Sequence, residues 1–481
     1  MTAVEMPNFM VSLVEIWMLA MGALGILIEV FLGKRSPHLI YFWVQTTLIG
    51  AIGLSVLGLG HPVTVTWQGL YIADPLGNLL KIFIGLSSLG AFYYGRTYVA
   101  LRKIPGGEYY ILGLFSTLGM FVLVAAHSLI TIYLGLEIIS LPLYAMISLQ
   151  RERTSAIEAS LKYFIMGAIA SAMLLYGMSI LYGATGSLDI SAIAAQIHRH
   201  LARESLMLTF ALVFIVAGIG FKLASVPFHM WAPDVYVGSP TSVTLFLSTG
   251  PKIAAVGMAF RLLVFALPAL HPSSQKLLIL LALFSTLLGN LLAIAQKNIK
   301  RMLAYSGIGH MGFMLFGLLA GTPDGYAAAL FYILTYAIMA LAAFGLIVLM
   351  SHAGFESENI DDFKGLNHRS PWLAFMMMLV MFSMAGVPPT VGFFIKLWVL
   401  KAVVDVGLLW MAVFGLLVAA CGAYYYIRIV KTMYFDEPLV HEPLVITRDL
   451  RLFFSCNALA LLWFGMFPQA LIHLCLKAFH G

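Results

Sequence analysis

Apolar positions along this chain do not recur at strand or amphipathic-helix spacing. They run in long stretches separated by short polar segments. A membrane-crossing helix needs about 20 consecutive apolar residues, and the stretches near 9–32, 38–59, 75–97, 108–126, 128–149, 155–184, 205–235, 239–268, 276–296, 300–320, 325–352, 370–402, 406–434 and 451–477 meet that length. Numbered in order, they predict fourteen spans. Several are longer than a bilayer requires, which implies tilt or a break, and Pro or Gly usually marks the place.

The polar segments set an orientation. KRSPH (34–38), RTYVALRK (96–103), QRER (150–153) and QKNIKR (296–301) follow spans 1, 3, 5 and 9, whereas the alternate segments, such as TPDG (322–325), carry little positive charge. Basic loops face the cytoplasm, so the odd-to-even loops are expected there and both termini on the other, periplasmic side. ESENIDDFKGLNHR (356–369) is an acidic exception among these loops.

Composition agrees. Of 481 residues, 61% are hydrophobic and 10% charged, against about a quarter charged in a soluble globular protein; mean hydropathy is +0.96. The reading is an all-α polytopic membrane protein. The opening MTAVEMPNFMVSLVE is acidic where a signal peptide is basic, so the first span is expected to be retained. Cys421, Cys456 and Cys475 lack ligand spacing, which predicts neither a disulfide framework nor a metal site. The net charge of +6 belongs to the short loops and does not point to nucleic acid.

Against this background, deep charge is the candidate chemistry. A charged side chain at the bilayer centre costs about 2.5–3.5 kcal/mol on insertion scales. Glu137, in YLGLEIISLPLYAM (133–146), lies 13 residues before a basic loop, about 19 Å at helical rise. Lys222 sits in GFKLASVPFHMW (220–231), Lys252 in STGPKIAAV (248–256) and Lys396 in GVPPTVGFFIKLW (386–398). His310 lies ten residues past Lys300, about 15 Å in. Singly, such lysines snorkel to a headgroup and such a glutamate is a paired structural carboxylate. As a set they imply roughly 10 kcal/mol unless partners or water meet them. Pro227, Pro251, Pro388 and Pro389 stand beside the lysines. Proline frees carbonyls, which at membrane depth are tolerated only in protein or along a wet cavity; broken helices beside ionisable groups are a usual construction of ion pathways.

Other residues keep two readings. Lys162 reaches a level near Glu137, or forms an i,i+4 pair with Glu158. His229 either carries protons near neutral pH or is a satisfied polar residue at a helix break. Glu29, Asp74 and Asp234 stand near span ends, where capping and interfacial roles are usual. GIGHMG (307–312) matches a dinucleotide fingerprint but follows no strand, so its glycines are read as helix-packing positions.

LGLEIISLPLYAM, GFKLASVPFHMWAPDVYVGSP, LSTGPKIAA and QKNIKRMLAYSGIGHMGFM resemble the antiporter-like membrane subunits of bacterial proton-pumping NADH:quinone oxidoreductase, respiratory complex I. The resemblance covers 100–435 well and the terminal helices loosely. PFHMWAPDVY, the lysine of GPK, and Lys396 in place of a glutamate point to one subunit type within the family. It implies about fourteen transmembrane helices with two inverted five-helix repeats and broken helices: 1–107 as N-terminal helices 1–3, 108–268 as the first repeat, 269–435 as the second, and 436–481 as helix 14. It also implies Glu137 and Lys222 as a coupled pair, Lys252 as central relay, His310 on the axis and Lys396 toward the far half-channel, with Lys162 and His229 as accessory candidates. Val237 stands where the family usually has a loop glutamate (PDVYEG). No cofactor is expected in this chain; FMN, iron–sulfur clusters, NADH and quinone belong to the assembled complex. Expected partners are the neighbouring antiporter-like subunit, the small membrane subunits and the lipid bilayer of the bacterial inner membrane, with no nucleic acid. Two other readings stay open: a multi-subunit cation/proton antiporter of the Mrp type, and a scaffold in which the charges only orient helices.

Overall fold

A computed structural model describes residues 8–33, 38–200, 206–351, 355–439, 444 and 446–480. The first basic loop, 34–37, lies outside the described residues. Among those described, thirteen helices are long and apolar enough to cross a membrane. The fourteenth expected crossing, span 12, is present as two halves, Pro371–Ala385 and Val391–Asp405, each too short to cross alone.

The chemistry of proline explains this break. In a continuous helix the carbonyls of Met384 and Ala385 would accept from residues 388 and 389, both prolines without an N–H. Gly386 closes the first half in the left-handed region at φ +91°, where a side chain is strained. Span 7 breaks by the same logic. Its first part, Leu206–Leu223, stops before Pro227, which removes the donor for the Leu223 carbonyl. The chain resumes as Trp231–Gly238. Neighbours satisfy the exposed groups: Ser285 Oγ of span 9 accepts from the Val226 amide (2.8 Å), and Trp231 Nε1 donates to the Phe221 carbonyl (2.9 Å). Span 8 is interrupted ahead of Pro251, running as Thr241–Leu247, Gly250–Ala259 and a π-helical turn, Phe260–Ala266.

Two elements were not legible beforehand. A hairpin, Thr64–Thr66 against Tyr71–Ala73, joins spans 2 and 3, and an 11-residue helix, Ile190–His200, precedes span 7. The glycines of GIGHMG act in packing. A Cβ on Gly312 would lie 2.6 Å from the Thr286 amide, and one on Gly289 would lie 2.5 Å from that of Gly309. Spans 9 and 10 therefore meet backbone to backbone, as small residues allow.

The acidic exception among the loops has a structural explanation. Glu356 pairs with Arg102 (2.8 Å), and Glu358 with Arg153 (3.1 Å) and Lys300 (3.2 Å). Backbone bonds from Ile299 to Glu358 and from Ile360 to Lys297 (2.7 and 2.9 Å) fasten the segment to the loop after span 9. The acidic segment thus lies on the same side as the basic loops and neutralises them. Its charge opposes theirs because it packs against them.

Candidate functional site: a run of lysines beside broken helices

The two breaks aim lysines into the bundle. Lys222 ends the first part of span 7, and its Nζ donates to Ser140 Oγ of span 5 at 2.8 Å. Lys396 sits in the second half of span 12, where its Nζ donates to the carbonyls of Met384 and Ala385 (3.1 and 2.7 Å), the two that the prolines deprive of amides. Lys252 follows the interruption of span 8 and is 3% exposed. Among the described residues no carboxylate lies within ion-pairing distance of these three. An aromatic face stands near each: Phe221 at 5.9 Å from Lys222, Tyr336 at 5.8 Å from Lys252 and Phe313 at 5.6 Å from Lys396, within the range of a cation–π contact.

The lysines are connected. Lys222 and Lys252 line one small cavity with Tyr163, Trp231 and Leu136, in which about 20 Å³ is open to the centre of a water molecule. That is room for about one water. Beyond Lys252, a Cβ on Gly307 would lie 3.5 Å from Lys252 Nζ and 2.7 Å from the Tyr336 hydroxyl; the missing side chain leaves the two polar groups side by side. The Tyr336 ring is 5.2 Å from that of His310. His310 Nδ1 shares a hydrogen bond with Tyr332 Oη (2.7 Å) and Nε2 with Tyr426 Oη (3.0 Å), which also bonds Ser306 Oγ. Since a hydroxyl both donates and accepts, either tautomer of His310 is accommodated by rotating hydroxyl hydrogens. Phe313, one turn further along span 10, stands under Lys396.

The remaining candidates are placed differently. Glu137 is half-buried on span 5, one turn from Ser140, on the side that also carries the exposed Leu134 and Leu141. It makes no ion pair with Lys222, whose Nζ donates to Ser140 Oγ instead, so the two residues that the resemblance implies as a coupled pair do not meet directly. Lys162 is not at Glu137. It pairs with Glu158 (2.8 Å) and with Asp234 (3.0 Å), which also meets Arg301 (3.4 Å). His229 lies in the break of span 7, half-buried, with a buried Nδ1 that has no hydrogen-bond partner, and does not line the lysine cavity. Asp74 caps span 3, accepting from the Gly77 amide at 2.8 Å.

Sequence reasoning missed a second set of buried charges. Lys81, 1% exposed, pairs with Glu15 (2.5 Å), and Tyr71 Oη donates to Glu15 (2.9 Å) while accepting from Lys81 (2.8 Å). Arg261, on the π-helical turn, holds Asp74 through two bonds of 2.6 and 2.7 Å and also donates to the Val124 carbonyl. Burial alone would push the Asp74 carboxyl up, but the Arg261 guanidinium, the Gly77 amide and Lys81 hold it below its ordinary value. The signal was an acid in span 1 and a base in span 3, neither of which was singled out; of this set only Asp74 was, as a span-end residue.

Broken helices around a run of buried and partly buried lysines define an antiporter-like transport subunit. Residues 126–422 match the family described as NADH:quinone oxidoreductase/Mrp antiporter, transmembrane. The chain is 51% identical over 474 residues to NADH-quinone oxidoreductase subunit N of Thioalkalivibrio sulfidiphilus, covering 98% of this chain and 99% of that one. A chain of respiratory complex I from Thermus thermophilus with bound aureothin superposes with a TM-score of 0.82 at 30% identity, covering 96% of this chain and 98% of the other. A chain of the Mrp complex from Dietzia sp. shares the fold (TM-score 0.84) at 19% identity, covering 97% and 96%. The chain belongs to the antiporter-like NADH:quinone oxidoreductase family and, within it, to the subunit N group.

Proposed function

We propose that this chain is the proton-translocating subunit N of a bacterial NADH:quinone oxidoreductase, and that Lys222, Lys252, His310 and Lys396 carry the proton. One observation carries the reading: Lys252, which is buried, and Lys222 and Lys396, which are partly buried, meet hydroxyls, carbonyls and ring faces and, among the described residues, no carboxylate within ion-pairing distance. A lysine against a fixed carboxylate keeps its proton, whereas one among neutral groups gives it up at less cost. The electrostatic drive comes through Glu137. A charge change at the neighbouring subunit alters the field of that carboxylate on Lys222; Lys222 then loads Lys252 through the shared cavity, and the hydroxyls around His310 pass the proton toward Lys396. Moving one charge against 100 mV takes about 2.3 kcal/mol, supplied by electron transfer in other subunits. FMN, iron–sulfur clusters, NADH and quinone are assigned to those subunits, which with the bilayer are the partners.

The side with the basic loops is assigned to the cytoplasm and both termini to the periplasm, in the bacterial inner membrane. The two breaks, in spans five apart, support inverted repeats over 108–268 and 269–435. Lys162 and His229 are placed at the margin of the path rather than on it. The Mrp-type reading has the shared fold in its favour, while identity over the whole length favours subunit N. Replacing Lys396 by Met in the assembled enzyme, reconstituted in vesicles, tests the assignment: assembly is expected to stay normal while coupled turnover and acidification fall together, about tenfold or more. Normal pumping would leave a scaffold role.

A further inference from the structure

We infer that Glu358 and Lys300 form the site at which protons enter this chain from the side of the basic loops; the inference rests on the relay reading above. An open charged cleft of about 870 Å³ is bordered by Arg102, Glu108, Arg151, Arg153, Glu356 and Glu358. The two glutamates differ. Glu356 is tied by Tyr98, Thr241 and Arg102. Glu358 is the freer, with its side chain 21% exposed, and one of its oxygens bridges the cleft residue Arg153 to Lys300, whose side chain is 0% exposed. A single carboxylate thus joins water to a fully buried amine.

Lys300 is fixed for this task. Its Nζ donates to the Val237 and Ser239 carbonyls, both at 3.0 Å, as well as to Glu358. Val237 leaves the short helix Trp231–Gly238 without an acid there, and Glu358 supplies the carboxylate from another segment. Next in sequence to Val237, whose carbonyl Lys300 holds, is Tyr236, 1% exposed, with a buried hydroxyl that has no hydrogen-bond partner; the proposed route runs from there to Tyr336, which stands beside Lys252. The transfer balances without a co-reactant. Lys300 passes its proton inward and takes another from a protonated Glu358, and the carboxylate, charged again, is reloaded from water in the cleft. The Glu358 side chain is not needed to hold its segment, because the backbone bonds of Glu358 and Ile360 to the 297–299 strand of chain already do so.

The test uses the whole enzyme in sealed vesicles, with Glu358→Gln, Glu358→Asp and Lys252→Met compared for assembly, NADH-driven quinone reduction and proton uptake. Expected are normal assembly in all three, a fall of about tenfold or more in proton uptake for Glu358→Gln and Lys252→Met, as for loss of a positioned proton-transfer group, and partial recovery in Glu358→Asp. If Lys252→Met blocks uptake while Glu358→Gln leaves it unchanged, the entry site is overturned and the relay stands. If Lys252→Met has no effect, the relay itself fails and takes the entry site with it. Loss of assembly in Glu358→Gln would make the residue a structural staple and also overturn the inference.

Discussion

Two regions of this molecule bury charge in opposite ways. Where spans 1, 3 and 8 meet, every buried cation has an acid: Lys81 has Glu15, and Arg261 has Asp74 in a two-pronged bond. Along the axis from Lys222 to Lys396 the cations have none among the described residues, and meet Ser140, two carbonyls, one shared cavity and aromatic faces. Both regions remove ions from water at considerable cost. In the first, the partner repays the cost while the pair stays charged, so the pair serves the fold. In the second, neutral groups repay part of it, and a change of protonation leaves no orphaned counter-charge behind. On the proposed path, pairing with an acid sealed from water, more than depth, separates structural charge from charge that can move; Glu358, the partner of Lys300, differs from Glu15 and Asp74 in bordering an open cleft.

The contrast breaks first at the pairs. Arg261→Met leaves Asp74 buried without its hydrogen-bonded cation, and removal of one partner of a buried pair costs about 3–5 kcal/mol; assembled complex on a native gel is expected to fall severely. Adding Asp74→Leu is expected to restore much of it, since the stranded charge is then gone. On the axis the order reverses. Lys252→Met removes an uncompensated cation, so assembly is expected to be unchanged while proton pumping falls about tenfold or more.

Smaller effects sharpen the picture. Tyr426→Phe takes one hydrogen bond from His310 and one from Ser306, each worth about 0.5–1.5 kcal/mol. Melting of the subunit is expected to shift little and proton transfer to slow several-fold. The smallest effect concerns pH. Burial pushes the Glu356 carboxyl up, but Lys300, Thr241, Tyr98 and Arg102 together bring it below its ordinary value. A lowered folded value means that its contribution is complete above the ordinary carboxyl range, near pH 4.3, and is lost as the pH falls through the lower, folded one. Hydrogen exchange of residues 355–364, corrected for intrinsic rates, is expected to show constant protection from neutral pH down to that range and loss only below it.

How much of this was legible in the sequence follows the same division. The spans were readable because a bilayer imposes one length on every crossing. Their breaks were readable because Pro227 and the Pro388–Pro389 pair remove particular amide donors. Lys222, Lys252, His310 and Lys396 stood out because each lies far from a polar loop. Glu15 and Lys81 did not, since 66 positions separate them and each sits near a predicted span end, where charge is ordinary; only the hairpin that brings in Tyr71 shows that they meet. Tyr332, Tyr336 and Tyr426 were invisible for another reason. A tyrosine within a span looks like any core aromatic until its hydroxyl is seen against His310 or Lys252. The acidic 356–369 segment looked like a violation of the charge rule because the sequence does not reveal that Glu356 and Glu358 pack on the basic loops.

The most direct test of the central claim compares one cation from each region in the same preparation. Proton-to-electron stoichiometry and the yield of assembled complex would be measured together for Lys252→Met and Lys81→Met in reconstituted vesicles. The account predicts full yield with a reduced stoichiometry for Lys252→Met, and reduced yield for Lys81→Met with normal stoichiometry in whatever assembles. Full yield and unchanged stoichiometry for Lys252→Met would contradict it.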